Sequence, residues 1–222
     1  MNYLFIAPIP PPVNGQSLAA KTVYDNLIVE NKIFLVDTSK QKRERTIKDY
    51  LNRLIEIFNI LCRINSIYKY HHIDRVYLTL SESTQGNIKD IITFFLLRKV
   101  INKSIVHMFG GAGLKKLLLK NSIQSKLTKY YLSMVLKIIV EGQEQRKIFE
   151  EYNKQIFIVK NFVEEYLFVS EDDVRSKYDR HIGINILFLS NLIYGKGYKE
   201  LLDGFINIGT DIRKKYHLTF VG

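Results

Sequence analysis

Short apolar runs alternate along this chain with amphipathic helical patterns. The runs are typical of buried strands and cover residues 3–7, 33–36, 76–80, 105–109, 138–140, 156–159, 186–189 and 218–221. Between them, apolar residues recur at helical spacing, as in Ile88, Ile91, Ile92, Phe95 and Leu96. This alternation predicts an α/β fold, a Rossmann-like parallel sheet with helices on both faces.

Three predicted loops follow the carboxyl ends of strands, where open parallel sheets bind their ligands. They cover residues 8–17, 109–113 and 190–197. In the first, four prolines precede Asn14, Gly15 and Gln16, and Ser17 is expected to cap the following helix. Gly15 lets the backbone approach a bound ligand, although a simple turn before a helix is an equal explanation.

The third loop has the pattern of a phosphate site. A predicted strand at 186–189 leads through Lys196 and Gly197 into a helix whose stripe contains Leu201, Leu202 and Phe205. A helix that begins beside a lysine presents backbone N–H groups and an ammonium to an anion. The alternative is an ordinary βα unit with a surface lysine.

The charge of the chain favours anionic partners. Its 33 basic and 22 acidic residues give a net charge of +11, and residues 91–140 contain no acidic side chain. In that segment, leucines, tyrosines and lysines form a basic amphipathic pattern, which is typical of helices that lie on anionic membranes. The apolar members are Leu114, Leu117, Leu118, Leu127, Tyr130, Tyr131, Met134 and Val135. The predicted membrane contacts are Lys115, Lys116, Lys120, Lys126 and Lys129.

A core-packed helix with solvated lysines explains the same segment equally well. Nucleic acid is not an expected partner, because the tyrosines lie in apolar stripes and no RNP-like or helix-turn-helix pattern is present. Cys62 is the only cysteine, which fits a reducing compartment. No apolar run approaches the roughly 18 residues that span a bilayer. We therefore expect a cytoplasmic protein, soluble or peripheral on the inner face of the cell membrane.

Four motifs together resemble family 4 glycosyltransferases of the GT-B fold. They are IAPIPPPVNGQS (residues 6–17), VHMFGG (106–111), IFIVKNFV (156–163) and ILFLSNLIYGKGYKELLDGF (186–205). The resemblance implies two Rossmann-like domains, the first for the acceptor and the second for the nucleotide-sugar. It further implies retaining transfer without a metal or other cofactor, from a nucleotide-sugar to a glycan or lipid-linked acceptor. Many bacterial members act in lipopolysaccharide or surface polysaccharide synthesis.

The resemblance also assigns residues. Gly15 matches the loop glycine near the donor phosphate, and Lys196 with Gly197 matches the pair that contacts the donor diphosphate. Asn191, the fourth expected donor-phosphate residue, stands where the family commonly has an arginine. His107 lies two positions before the usual place of the family histidine, so it is either a sugar contact or a buried structural histidine. The acceptor-side loop residues are Asn14, Gln16, Gly110 and Gly111.

The predicted domains are an acceptor-side domain at 1–165, a linker at 166–185 and the first βαβ portion of a donor domain at 186–222. In the family, the donor domain continues further and contains an E-x7-E pair. We therefore expect that this chain transfers little or no sugar by itself. Two alternatives are a noncatalytic membrane-binding fragment and a sugar-nucleotide epimerase of the same architecture.

Overall fold

The computed structural model describes residues 1–39, 47–160, 168–179, 183–190, 192 and 194–222. The chain forms two compact units, 1–161 and 162–222. The first unit contains a six-stranded sheet, and the second contains a two-stranded sheet. All of their strand pairs are parallel. The expected α/β architecture, with a Rossmann-like parallel sheet, is therefore confirmed.

The strands of the first unit are ordered β2-β1-β3-β4-β5-β6. They are β1 (Asn2–Ala7), β2 (Lys32–Asp37), β3 (Arg75–Thr79), β4 (Ser104–Met108), β5 (Lys137–Val140) and β6 (Ile156–Ile158). The helices are α1 (Gly15–Leu27), α2 (Ile47–Tyr70), α3 (Thr84–Leu96), α4 (Ala112–Leu118), α5 (Ile123–Met134) and α6 (Gln143–Phe149). A 3-10 turn at Ile101–Lys103 leads into β4.

The described residues of the second unit form a helix followed by a βαβ crossover. Its elements are α7 (Glu171–Asp179), β7 (Ile184–Leu189), α8 (Tyr198–Asn207), α9 (Thr210–Arg213) and β8 (Tyr216–Val221). The rings of Phe188 and Phe220 lie 5.5 Å apart on the two paired strands. Ser170 caps α7, since its hydroxyl accepts a hydrogen bond from the Asp173 N–H at 3.1 Å.

Side-chain alternation along β1 divides the first unit into two apolar layers. Leu4 and Ile6 point into the larger core, which they share with residues of α2, α3, α5 and α6. Phe5 and Ala7 point the opposite way and pack with Ala20 of α1. Helices therefore cover both faces of this sheet.

The register places the carboxyl ends of the first four strands at one edge. Ala7 of β1 pairs with Asp37 at the end of β2, and Thr79 at the end of β3 pairs with His107 near the end of β4. The loops that follow these strands consequently emerge side by side, which is the geometry of a ligand site in a parallel sheet.

One local expectation was wrong, and one predicted pattern is shared by two helices. Asn14, and not Ser17, is the N-cap of α1: the Asn14 side chain accepts from the Ser17 N–H and the Ser17 hydroxyl accepts from the Asn14 N–H, both at 3.0 Å. The basic amphipathic pattern is also divided between α4 and α5. Ser122 begins α5 as its cap, with its hydroxyl accepting from the Ser125 N–H at 3.1 Å.

Candidate functional site

A polar pocket of about 340 Å³ lies at the carboxyl edge of the first unit's sheet. This volume falls within the range of small-molecule sites. The loop after β1 contributes Pro8, Pro12, Asn14 and Gln16 to its lining. The remaining lining residues are Thr38, Ser39, Arg53, Thr79, Leu80, Ser81, Glu82, Ser83, Gly86, Lys89 and Phe109. The predicted loop residues Asn14 and Gln16 are thus brought to one site with residues that follow β2, β3 and β4.

The chemistry of this lining suits a hydroxyl-rich, partly anionic molecule. Hydroxyl and amide side chains both donate and accept hydrogen bonds, which matches the groups of a sugar. Two cations, Arg53 and Lys89, stand among them with one carboxylate, Glu82. The Arg53 guanidinium is held by Glu56, with 3.0 Å between Nη1 and Oε2.

A buried ion pair holds one wall of the pocket. The Lys89 ammonium lies 2.9 Å from the Asp90 carboxylate, and their side chains are only 6% and 0% exposed. The same carboxylate accepts a hydrogen bond of 2.8 Å from the Ser81 N–H in the loop after β3. Asp90 therefore fixes both the loop and the lysine. None of these three residues was predicted from the sequence as part of a site, because their pairing depends on how α3 packs.

The loops after β1 and β2 are tied together beside the pocket. The Ile9 N–H donates to the Ser39 hydroxyl at 3.0 Å, and the Ser39 N–H donates to the Asp37 carboxylate at 2.8 Å. Gly15 begins α1 between the two lining residues Asn14 and Gln16. A Cβ atom added at Gly15 would meet no protein atom within 4 Å. Internal packing therefore does not explain this glycine.

The glycine loop after β4 binds the chain's own carboxylates. The Gly111 N–H donates to Glu82 Oε1 at 2.6 Å, and the Gly110 N–H donates to Glu141 Oε2 at 3.0 Å. Gly110 and Gly111 have φ angles of 76° and 128°, a region that favours glycine. Both were predicted as acceptor-side residues, but only their neighbour Phe109 lines the pocket. Glu82, which was not predicted from the sequence, links this loop to the pocket.

His107 is buried in the sheet and is not among the lining residues of the pocket. Its Nδ1 shares a hydrogen bond of 2.6 Å with the Tyr77 hydroxyl, and its ring lies 4.0 Å from that of Phe109. Among the described residues, no hydrogen-bond partner reaches its Nε2 atom. Burial lowers the pKa of His107 to about 4, an effect that the nearby Glu141 carboxylate opposes. This geometry fits a structural role for His107. Its neutral ring packs against Phe109, which lines the pocket.

The burial of His107 predicts a specific loss of stability in acid. The unfolded chain takes up a proton below pH 6.5, whereas the folded chain does so only below about pH 4, so stability falls between these values as pH decreases. Between pH 7 and pH 5, this effect lowers the free energy of unfolding by about 2 kcal/mol. Denaturant unfolding at the two pH values measures it. We expect His107→Gln to lose about 2 kcal/mol less than the parent protein, and equal losses in both would contradict this assignment.

The predicted phosphate loop of the second unit precedes α8. Gly197 is the N-cap of that helix with a left-handed φ of 86°, and Gly195 has a φ of 87°. The Lys196 side chain between them is exposed. A Cβ atom at either glycine would meet no protein atom within 4 Å. Asn191, the remaining predicted donor residue, lies outside the described residues, as do the last three residues of the IFIVKNFV motif.

The five lysines predicted to contact a membrane belong to the first unit. Lys115, Lys116, Lys120 and Lys126 are exposed, whereas Lys129 is half-buried with its ammonium 5.5 Å from the centre of the Tyr152 ring. Within the described part of the chain, no helix has the length and apolarity needed to cross a bilayer.

Comparison with protein-family models and curated proteins identifies no family for this chain. No protein-family model matches the chain, and a search of curated proteins finds no match.

Proposed function

We propose that this chain belongs to a retaining, nucleotide-sugar-dependent glycosyltransferase that acts in bacterial surface polysaccharide or lipopolysaccharide synthesis. The observation that carries the proposal is the polar pocket at the carboxyl edge of a Rossmann-like parallel sheet. The sequence motifs that resemble family 4 glycosyltransferases provide its other support. A cytoplasmic location, on the side of the membrane where nucleotide-sugars are made, is part of the proposal.

The pocket of the first unit is assigned to the acceptor. Its serine and threonine hydroxyls suit the hydroxyl groups of a glycan, and Arg53 and Lys89 suit a phosphate that joins a glycan to a lipid. Both cations have a carboxylate partner, Glu56 for Arg53 and Asp90 for Lys89, but Arg53 is the more exposed of the two, with 22% of its side chain exposed against 6% for Lys89. The acceptor hydroxyl is the nucleophile, so its position in the pocket determines which linkage forms.

The loop before α8 is assigned to the donor diphosphate. As the bond from the sugar to the diphosphate breaks, negative charge grows on the leaving group. The Lys196 ammonium and the N–H groups at the beginning of α8 are suited to stabilise that charge without a metal ion. His107 receives no proton-transfer role in this proposal, because it is buried and its pKa is lowered to about 4.

The test is sugar transfer by the protein in the full length that its gene encodes. The protein is incubated with a panel of nucleotide-diphosphate sugars and a membrane extract that supplies acceptors, and labelled glycan is measured together with released nucleoside diphosphate. We expect transfer from one of the donors. An altered nucleotide-sugar without any transferred label would instead indicate an epimerase. Failure of every donor to react would contradict the proposal.

Gly15→Ala separates the ligand role of this glycine from a structural role. Alanine meets no protein atom there and is the better helix former, so the free energy of unfolding should stay within about 1 kcal/mol of the parent value. If the ligand needs the open space, transfer should fall by about tenfold or more. Gly142→Ala, whose Cβ also meets no atom within 4 Å, is the matched control. Full activity in Gly15→Ala would leave Gly15 as a simple helix start.

A further inference from the structure

Helix α3 exposes an apolar stripe at positions where a solvated helix carries polar side chains. It buries the polar side chains of Asn87, Asp90 and Thr93, and it exposes the large apolar side chains of Ile88, Ile92 and Phe95. The three exposed residues follow the spacing i, i+4 and i+7, so they form one stripe on the outer side of the helix. A helix in contact with water alone would present polar groups there.

Helix α5 carries a second exposed apolar stripe. Ile123, Leu127, Tyr130 and Met134 are each more than one-third exposed, and they follow the spacing i, i+4, i+7 and i+11. The opposite side of the helix contributes Tyr131 and Leu132 to the core. The residues of the exposed stripe are therefore distinct from those that pack α5 against the core.

The two stripes lie on neighbouring helices. The rings of Phe94 and Tyr131 stack with their centroids 5.6 Å apart, and Gln124 Nε2 donates to Asn87 Oδ1 at 2.9 Å. These contacts join α3 and α5 on the same side of the sheet, where both contribute to the larger core. We call the outer surface formed by Ile88, Ile92, Phe95, Ile123, Leu127, Tyr130 and Met134 the α3–α5 face.

The chain segment that supplies six of the seven residues of the α3–α5 face carries only positive charges. Residues 91–140 contain no acidic side chain, and the Arg98 guanidinium lies 4.6 Å from the centre of the Phe95 ring. Lys126 is exposed on α5, and Lys116 and Lys120 are exposed on α4 and just after it. An apolar surface with cations beside it complements the acyl chains and headgroups of an anionic lipid layer. Two copies of this face would instead bring like charges together.

We propose that the α3–α5 face rests on an anionic membrane surface. Its apolar side chains would enter the boundary between headgroups and acyl chains, while the neighbouring lysines and Arg98 remain among the headgroups. Each basic residue near an anionic surface strengthens binding by about fivefold, so the attachment is reversible and weakens as salt is added. The inference stands on these exposed residues and does not depend on sugar transfer.

The structure changes which residues form the predicted membrane surface. Leu114, Leu117, Leu118, Tyr131 and Val135 are buried in the core and are not available to lipid. Only Leu127, Tyr130 and Met134 of the predicted apolar set belong to the α3–α5 face. The three α3 residues and Ile123 were not part of that prediction.

The experiment compares binding to phosphatidylcholine vesicles with and without phosphatidylglycerol. We expect the protein to sediment with the anionic vesicles at low salt and to be released by added salt. Leu127→Glu combined with Tyr130→Glu should weaken that binding by about tenfold or more. Val29→Glu is the matched control, because Val29 is an exposed apolar residue just after α1 and outside the face. Equal binding by the double variant, or no binding by the parent protein, would overturn the proposal.

A fluorescence measurement tests the same surface without adding charge. The chain contains no tryptophan, so Ile123→Trp introduces a single reporter on the α3–α5 face. Its emission should shift to the blue when anionic vesicles are added, whereas Val29→Trp should show no shift. The absence of a shift at position 123 would contradict insertion of the face. A lipid-free dimer of the parent protein that becomes a monomer in the Leu127→Glu and Tyr130→Glu double variant would show that the face binds a second copy instead.

Discussion

Replacing Asp90 with alanine is expected to lower the free energy of unfolding by about 3–5 kcal/mol, because a buried cation then loses its counterion. The Lys89 ammonium lies 2.9 Å from the Asp90 carboxylate with 6% of its side chain exposed. The Ser81 N–H would also lose its hydrogen-bond acceptor. Denaturant unfolding monitored by circular dichroism measures the loss. The loop after β3 contributes to the pocket, so ligand binding should weaken as well.

An exposed ion pair provides the control for Asp90→Ala. Lys21 and Asp25 lie one turn apart on α1 at 2.6 Å, and about half of each side chain is exposed. Because water and salt screen such a pair, Asp25→Ala should cost less than about 1 kcal/mol. Lys89→Met combined with Asp90→Asn should cost less than Asp90→Ala alone, since no unpaired charge stays buried. Equally small losses in Asp90→Ala and Asp25→Ala would contradict the buried pair.

The sheet was predictable from the sequence because its central strands are short apolar runs between polar segments. Residues 3–7 and 76–80 were predicted as strands, and they correspond to β1 and β3 within one residue at either end. The edge of the sheet where ligands bind followed from the parallel topology. The loop at residues 8–17 could therefore be placed at this edge, and the resemblance assigned its residues Asn14 and Gln16 to the acceptor side.

The walls of the pocket were not predictable, because they depend on contacts between distant parts of the chain. Glu82 follows β3 and reaches the N–H of Gly111 after β4, 29 positions later in the sequence. The sequence shows an acidic residue and a glycine run, but it does not show that they meet. The partner of His107 was hidden for the same reason, since Tyr77 lies on the neighbouring strand β3.

The outward stripe of α3 shows why apolar periodicity alone did not locate the core. Ile88, Ile91, Ile92, Phe94, Phe95 and Leu96 surround much of this helix, so its pattern predicts a helix without predicting which side is buried. The buried side was selected by polar partners: Asp90 pairs with Lys89, and Asn87 accepts hydrogen bonds from Gln124 and Thr128. Satisfied polar groups thus occupy positions in the core while Ile88 and Ile92 remain outside.

Two consecutive phenylalanines on α3 test this orientation directly. Phe94 is 2% exposed and stacks on Tyr131, whereas Phe95 is 53% exposed beside Arg98. Phe94→Ala should lower the free energy of unfolding by about 3–5 kcal/mol, because it leaves a cavity between α3 and α5. Phe95→Ala should cost about 1 kcal/mol or less, since it removes only an exposed ring and its cation–π contact.

Thermal and denaturant unfolding of the two variants, made in the same background, measures the difference. Phe95→Ala should also weaken binding to anionic vesicles while Phe95→Leu, which keeps an apolar side chain on the α3–α5 face, should retain most of it. Equal destabilisation by Phe94→Ala and Phe95→Ala would mean that both sides of α3 are covered by protein. In that case the outer stripe would be part of a protein interface, and the membrane role of the α3–α5 face would fail with it.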